Sequence, residues 1–164
     1  MRRRILVLAV AAGAVLVGTA LATPIVGTIV AETARGDLDK RLMVNTEFAN
    51  GARVKLKTKG PIEIITQRIV SAPGSSFGWH THPGENVNVV MQGTLTLYHD
   101  EKCTQGISYG PGSAFATHPK DVHLARNESA TETVVFFATY FAPKTTPALP
   151  VRIDAPSPGP ACPE

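Results

Sequence analysis

The sequence predicts an all-β sandwich or barrel. Short β-branched runs recur from Arg53 to Pro143, and Gly, Pro, Asn or Asp bounds most of them. Beyond the first 22 residues no long stretch carries a clear helical period. Short strands at regular spacing with turn signals between them are the mark of that class.

The chain opens on Met1, Arg2, Arg3 and Arg4, followed by an apolar run from Ile5 to Ala22 that closes on Ala20-Leu21-Ala22. A basic start, an apolar middle and an A-x-A end read as a secretory signal over residues 1–22. The alternative is an uncleaved membrane anchor, since eighteen helical residues span about 27 Å, just short of a bilayer core. The signal implies a secreted or cell-envelope protein. It also explains the charge. The chain has 16 basic and 13 acidic residues, and the three leader arginines supply the whole excess. The remainder is formally neutral and has no Lys/Arg cluster. That argues against a nucleic-acid partner, and against a membrane partner unless the leader stays uncleaved.

Residues 23–143 form one expected domain, with its core at about 62–141. "PIVGTIVAET", Pro24 to Thr33, reads as a first strand. "ARGDLDKRLMVNTEFANG" reads as a short helix or a polar connection into a strand near Leu42–Phe48. "RVKLKT" alternates, with Val54 and Leu56 on one face. "IEIITQRIVSAPG" is a longer strand ending in a turn at Pro73-Gly74. "VNVVMQ", "TLTLYH", "SAFAT", "VHLARN" and "TETVVFFATYFAP" follow as strands. The tail, residues 144–164, is proline-rich and is expected as extended chain outside the central sheet.

The chain has two cysteines, Cys103 and Cys162. An even count in an exported protein implies a disulfide, here tying the tail to the body. The loop closed is about 60 residues, for which the chain-entropy model gives roughly 4 kcal/mol at most.

His80 and His82 stand at i and i+2, so in an extended strand both imidazoles point to one face. Two imidazoles converging on a point are what a metal needs. His123 alternates with Leu124 and Arg126, so it too reads as a strand residue. His118 is expected as a solvated loop residue and His99 as a surface residue at a strand end. Trp79 should pack on the face opposite His80. Tyr98, Phe115, Phe136, Phe137, Tyr140 and Phe141 read as core or sheet-packing residues. Glu85 and Asp121 are the acids nearest the histidines in sequence, hence the general-base candidates. The sequence holds no nucleophile elbow, phosphate loop or CxxC.

This pattern resembles the cupin superfamily. Its first motif, G-x5-H-x-H-x3/4-E-x6-G, is matched in register by Gly74, His80, His82 and Gly93. Its second, P-x-G-x2-H-x3-N, is matched in large part by Pro119, His123 and Asn127. Asp121 stands where the glycine is expected, and "PKDVH" is one residue short. The resemblance covers roughly Ile62 to Phe141. It implies a double-stranded β-helix, a jelly-roll barrel with the proline-rich tail appended. It also implies a divalent metal (Fe, Mn, Ni, Cu or Zn), or a barrel that keeps its histidines without one. By the same resemblance His80, His82 and His123 are ligands. The motif's carboxylate position, seven residues before Gly93, is Asn86; the alternative is Glu85, delivered by a bend at Pro83-Gly84 or a bulge. In the first register Asn86, Asn88 and Val90 face the histidines, and Val87, Val89 and Met91 face out. That apolar outer set calls for cover, by the strand around Ile25–Val30 or by a second subunit in a homodimer. The resemblance implies a small-molecule oxygenase or isomerase. The alternative is a non-catalytic domain that binds a metal or small ligand.

Overall fold

The computed structural model describes residues 24–27, 29–160 and 162–163, and the expected signal over 1–22 lies outside them. Twelve strands are described: β1 Ile29–Leu38, β2 Met43–Glu47, β3 Arg53–Lys57, β4 Ile62–Ser71, β5 Ser76–Thr81, β6 Glu85–Gln92, β7 Leu95–His99, β8 Ile107–Tyr109, β9 Ala114–Thr117, β10 His123–Arg126, β11 Val134–Pro143 and β12 Ile153–Asp154. A 3-10 turn, Asp100–Lys102, follows β7. Ten of the strands form two five-stranded sheets, in the orders β1-β4-β11-β6-β9 and β12-β5-β10-β7-β8. From β4 to β7, and again from β8 to β12, successive strands alternate between the sheets, so the chain winds a double-stranded β-helix. β2 and β3 form a separate hairpin.

Period-2 patterning selects the core. Along β6, Asn86, Asn88 and Val90 are buried while Glu85, Val87, Val89 and Met91 are exposed. β11 buries Val134, Phe136, Ala138, Tyr140 and Ala142. These meet Ile65 and Ile69 of β4, Phe77 of β5, and Leu95 and Leu97 of β7 between the sheets. Phe137, expected as a core or sheet-packing residue, is on the outer face at 36% exposure, because it alternates against Phe136 and Ala138.

Three expectations are corrected at the chain's ends. The first strand starts at Ile29 and runs through Leu38, pairing with all ten residues of β4. Arg35, Gly36 and Asp37 have poor strand propensity, but an edge strand tolerates them when a full ladder holds it. The helix alternative for that stretch does not occur. The same pairing keeps the N-terminal strand away from β6, so Val87, Val89 and Met91 are 44, 44 and 55% exposed. The register of β6 nevertheless stands, because their neighbours Asn86, Asn88 and Val90 are 3, 3 and 1% exposed.

The tail is not wholly outside the sheets. β12 joins the edge of β5, with Ile153 opposite Thr81 and Asp154 opposite His80. The Ala155 N–H then donates to the Trp79 carbonyl (2.9 Å), and Trp79 Nε1 donates to the Pro163 carbonyl (2.8 Å). Cys162 is bonded to Cys103, with Cα atoms 5.0 Å apart. Cys103 follows β7 and β12 lies at the opposite edge, so the tail crosses the outer face of the second sheet. Trp79 and Leu124, which are paired on that face, are both 0% exposed. Every residue of β5 but Thr81 is buried, because this strand is covered on both faces.

Candidate metal centre

β10 lies between β5 and β7, with His123 opposite His80 on one side and His99 on the other. Directly paired residues of antiparallel strands share a face. The ladder therefore sets three histidines in a row, and His82 adds a fourth two residues beyond His80. His80, His82 and His123 are 4, 5 and 2% exposed. Their ring centroids are 5.0 Å (His80–His82), 4.4 Å (His80–His123) and 5.0 Å (His82–His123) apart. One ligand atom from each lies within 4.8 Å of the others.

Each ring is oriented by a backbone carbonyl that accepts from Nδ1. The acceptors are Gly78 O for His80 (2.8 Å), Val151 O for His82 (2.6 Å) and Asp121 O for His123 (3.0 Å). A proton held on Nδ1 leaves the Nε2 lone pair free. This is how outer hydrogen bonds fix the tautomer of a metal-ligating histidine. Electrostatics agrees. Burial, followed by the facing His123 and His82, holds His80 well below the ordinary imidazole range. Burial lowers His82, against the Val151 hydrogen bond that raises it. Burial and then His82 bring His123 down to about 4. All three rings are neutral at pH 7 and able to donate a lone pair. The donor set fits a divalent transition metal.

Asn86 completes the inner ring of polar groups. Its Nδ2 donates to His82 Nε2 at 3.3 Å. Its Oδ1 is buried and has no hydrogen-bond partner among the described residues. Glu85 points outward, with its carboxylate 2.6 Å from His118 Nδ1; that hydrogen bond and the carboxylate's charge raise the imidazole's pKa. His118 is exposed as expected. Asp121 presents its carbonyl to His123 and its carboxylate to the His118 N–H (3.2 Å). Neither expected general base thus brings a carboxylate into the triad.

The turn before His123 corrects the motif alignment. Asp121 N donates to His118 O at 3.1 Å, and Lys120 has φ 75°. This is a β-turn with Pro119 at its second position and a left-handed residue at its third, the place a turn of this type reserves for glycine. Counting back three residues from His123, Lys120 and not Asp121 occupies the glycine position.

Sequence reasoning missed three residues. His99 was expected at the surface but is half-buried, its ring 6.5 Å from that of His123. The signal was present, since Leu95, Leu97 and His99 alternate onto the inner face. With Lys102, Gln105, Gly106 and Ile107, His99 lines a cavity of about 400 Å³. Tyr140, opposite Asn86 in the ladder, lies 5.2 Å from the His82 ring. Burial pushes its phenol up to about 12 although Asn86 hydrogen-bonds it, so it stays a protonated donor. Arg152, in the tail, donates to Phe77 O at 2.8 Å and helps lower both His80 and His82. No local pattern could have placed Tyr140 or Arg152, because both arrive through long-range pairing.

Residues 67–140 match a family model described as a cupin domain. No match to the sequence was found among curated proteins. Among solved structures, a Cupin 2 conserved barrel domain protein from Salinispora arenicola is 23% identical, with 47% of this chain and 61% of that one covered and a TM-score of 0.42. The chain thus spans less than two thirds of that protein. A cupin-like protein from Thermotoga maritima is 18% identical, over 59% of this chain and 68% of its own, with a TM-score of 0.47. A conserved protein with a double-stranded β-helix domain from Klebsiella pneumoniae is 18% identical, over 71% and 84%, with a TM-score of 0.46. Likeness at this level carries nothing about substrate or chemistry.

Proposed function

Since this chain belongs to the cupin superfamily through its domain at residues 67–140, we propose that it is an exported cupin holding one divalent transition metal on His80, His82 and His123. The observation that carries this reading is the commitment of all three Nδ1 atoms to carbonyls, which turns three neutral Nε2 atoms toward one point. Asn86 is the fourth ligand in this reading. An amide presents its oxygen in place of its nitrogen by a half-turn, and the Asn86 oxygen is buried without a partner among the described residues. Neutral imidazole donors suit Fe, Mn, Ni, Cu or Zn. When bound, such an ion polarises an oxygen-bearing molecule or, if redox-active, activates dioxygen. Four neutral ligands leave the ion's charge uncompensated, which favours small anionic ligands. Tyr140 offers a hydroxyl donor beside them.

Burial of the triad supports a domain whose task is to hold the metal. The cavity beside His99 supports a second reading, turnover of a small molecule that approaches from that side, by oxygenase or isomerase chemistry. The disulfide supports export to an oxidising compartment after removal of residues 1–22. The exposed face of Val87, Val89 and Met91 supports a homodimer.

Metal analysis of protein purified from its export compartment without a metal-binding tag tests the central reading. About one metal per chain is expected, and less than about 0.1 would overturn it, since a preformed site binds tightly. Oxygen uptake or substrate loss that depends on iron, manganese or copper and is absent with zinc separates turnover from storage. Intact mass of the exported protein reads the loss of residues 1–22, and light scattering reads the dimer.

A further inference from the structure

The three histidines are not oriented by equivalent means. His80 and His123 each donate to a carbonyl two residues earlier, Gly78 O and Asp121 O, on their own local chain. His82 donates to Val151 O, 69 residues away in the proline-rich tail. Val151 precedes β12, which pairs with β5 through two residues only. A two-residue edge strand is a weak attachment by itself. What secures it lies further along. Arg152 Nη2 donates to Phe77 O (2.8 Å), Ala155 N to Trp79 O (2.9 Å), and Trp79 Nε1 to Pro163 O (2.8 Å). The covalent end of this strap is Cys162 bonded to Cys103.

We infer that the disulfide-anchored tail is a working part of the metal site: Val151 is a positioning residue for His82, and the Cys103–Cys162 bond, by holding the tail on β5, sets metal affinity. This rests on the metal-binding reading above and concerns the orientation of one ligand within it. With the tail released, His82 loses the acceptor that keeps its proton on Nδ1. The ring is then free to rotate and to exchange tautomers, while His80 and His123 keep their anchors. The site becomes a two-histidine site with a loose third ligand. Loss of one outer hydrogen-bond partner typically weakens metal affinity about 10–100-fold. The chain's single tryptophan reports the same event. Trp79 is 0% exposed and its indole is held by the strap, so lifting the strap wets it.

The experiment compares the full-length wild type with Cys103→Ser/Cys162→Ser. Zn²⁺ affinity is measured by chelator competition, visible bands are recorded with Co²⁺, and Trp79 emission is followed well below the unfolding temperature. The expected result is Zn²⁺ affinity at least about tenfold weaker, altered Co²⁺ bands and a red shift of Trp79 emission, with the far-ultraviolet β signal retained. A merely structural disulfide would lower the unfolding midpoint and leave the Co²⁺ bands as they were. Unchanged Zn²⁺ affinity overturns the inference, whatever Trp79 does; weaker affinity without a Trp79 shift also overturns it, because the effect then bypasses the tail. If the variant does not fold, wild-type protein reduced by a water-soluble phosphine takes its place. Each disulfide, phosphine and water give two thiols and a phosphine oxide, and the thiols are then alkylated and the reagents removed. A wild type that binds no metal would sink the metal reading itself, whereas equal binding with and without the disulfide sinks only the role of the tail.

Discussion

Asn86 and Glu85 are adjacent in the chain, yet one is buried beside His82 and the other lies exposed against His118. The difference decides what each substitution does. Glu85→Gln should leave Zn²⁺ affinity unchanged, because its carboxylate never reaches the triad. Asn86→Asp should tighten it, because an anionic oxygen replaces a neutral amide. His80→Ala or His123→Ala should weaken it by more than the ~100-fold upper figure for an outer-sphere loss. Competition titrations with Zn²⁺ on these four variants and on Asn86→Ala check this set; loss of binding in Glu85→Gln with Asn86→Ala intact would show that the register at the site is wrong. Lys120 supplies a separate test. Its φ of 75° strains an L-residue by roughly 1–2 kcal/mol, and glycine relieves this at an entropic cost in the unfolded chain. Lys120→Gly should therefore raise stability by about 0.5–1 kcal/mol, read as a higher urea midpoint.

The same histidines set a pH dependence for the metal-free protein. In the unfolded chain an imidazole takes its proton near pH 6.5. In the folded chain His123 waits until about pH 4, and His80 and His82 are also lowered. Between those values the unfolded state binds more protons, so stability falls as the pH falls. The stability contributed by the neutral rings is full above about pH 6.5 and is lost progressively toward pH 4. Urea midpoints measured with chelator from pH 8 to pH 4 should be flat at first and then decline; a midpoint constant through that window would contradict the burial of the triad.

Strand ends and corners hold the motif residues that do not touch the site. Asn127, the last residue of the second motif, is 0% exposed. Its Nδ2 lies within 2.7–3.1 Å of the carbonyls of Ser71, Ala72 and Glu132, and its Oδ1 accepts from Ser129 N (3.1 Å). It ties the end of β4 to the loop between β10 and β11. Asn127→Ala strands several buried carbonyls, each costing about 1–3 kcal/mol, so a loss of at least about 3 kcal/mol is expected in chemical denaturation. Gly84 sits in a tight corner. A Cβ there would lie 1.9 Å from Phe141 O, so Gly84→Ala must displace β11 from the segment linking His82 to Asn86. Gly93, at the corner where the chain passes from one sheet to the other, has φ 69° and would place a Cβ 2.7 Å from Thr133 O. Two glycines and an asparagine thus keep the motif's spacing by packing, with no contact to the histidines.

The whole molecule couples the site to global stability. A metal that binds only the folded chain should stabilise it by about 4 kcal/mol at a thousandfold excess over Kd. Thermal unfolding with and without chelator reads this as a shift in midpoint. The disulfide acts on the same equilibrium from the other side, restricting the unfolded chain by roughly 4 kcal/mol at most. The sheets divide the labour. The first presents Asn86 and Tyr140; the second carries all four inner histidines and wears the tail across its back.

Much of this was legible in one dimension. Alternation of apolar and polar residues marked the strands of the barrel, because the side-chain period of a strand is written directly in sequence. The spacing of Gly74, His80, His82 and Gly93 marked the site, and the i, i+2 relation put His80 and His82 on one face. The same alternation, followed one strand further, would also have turned His99 inward. Only the tertiary structure decided the rest. It brought Val151 to His82 across 69 residues and Tyr140 to Asn86 across a ladder. It laid the tail over Trp79 and left Val87, Val89 and Met91 bare. The physical reason is one of range. Periodicity records which face a residue occupies within its own strand, whereas strand order, the partner of a carbonyl and the path of a proline-rich tail are settled by hydrogen bonds and a disulfide between segments far apart in the chain.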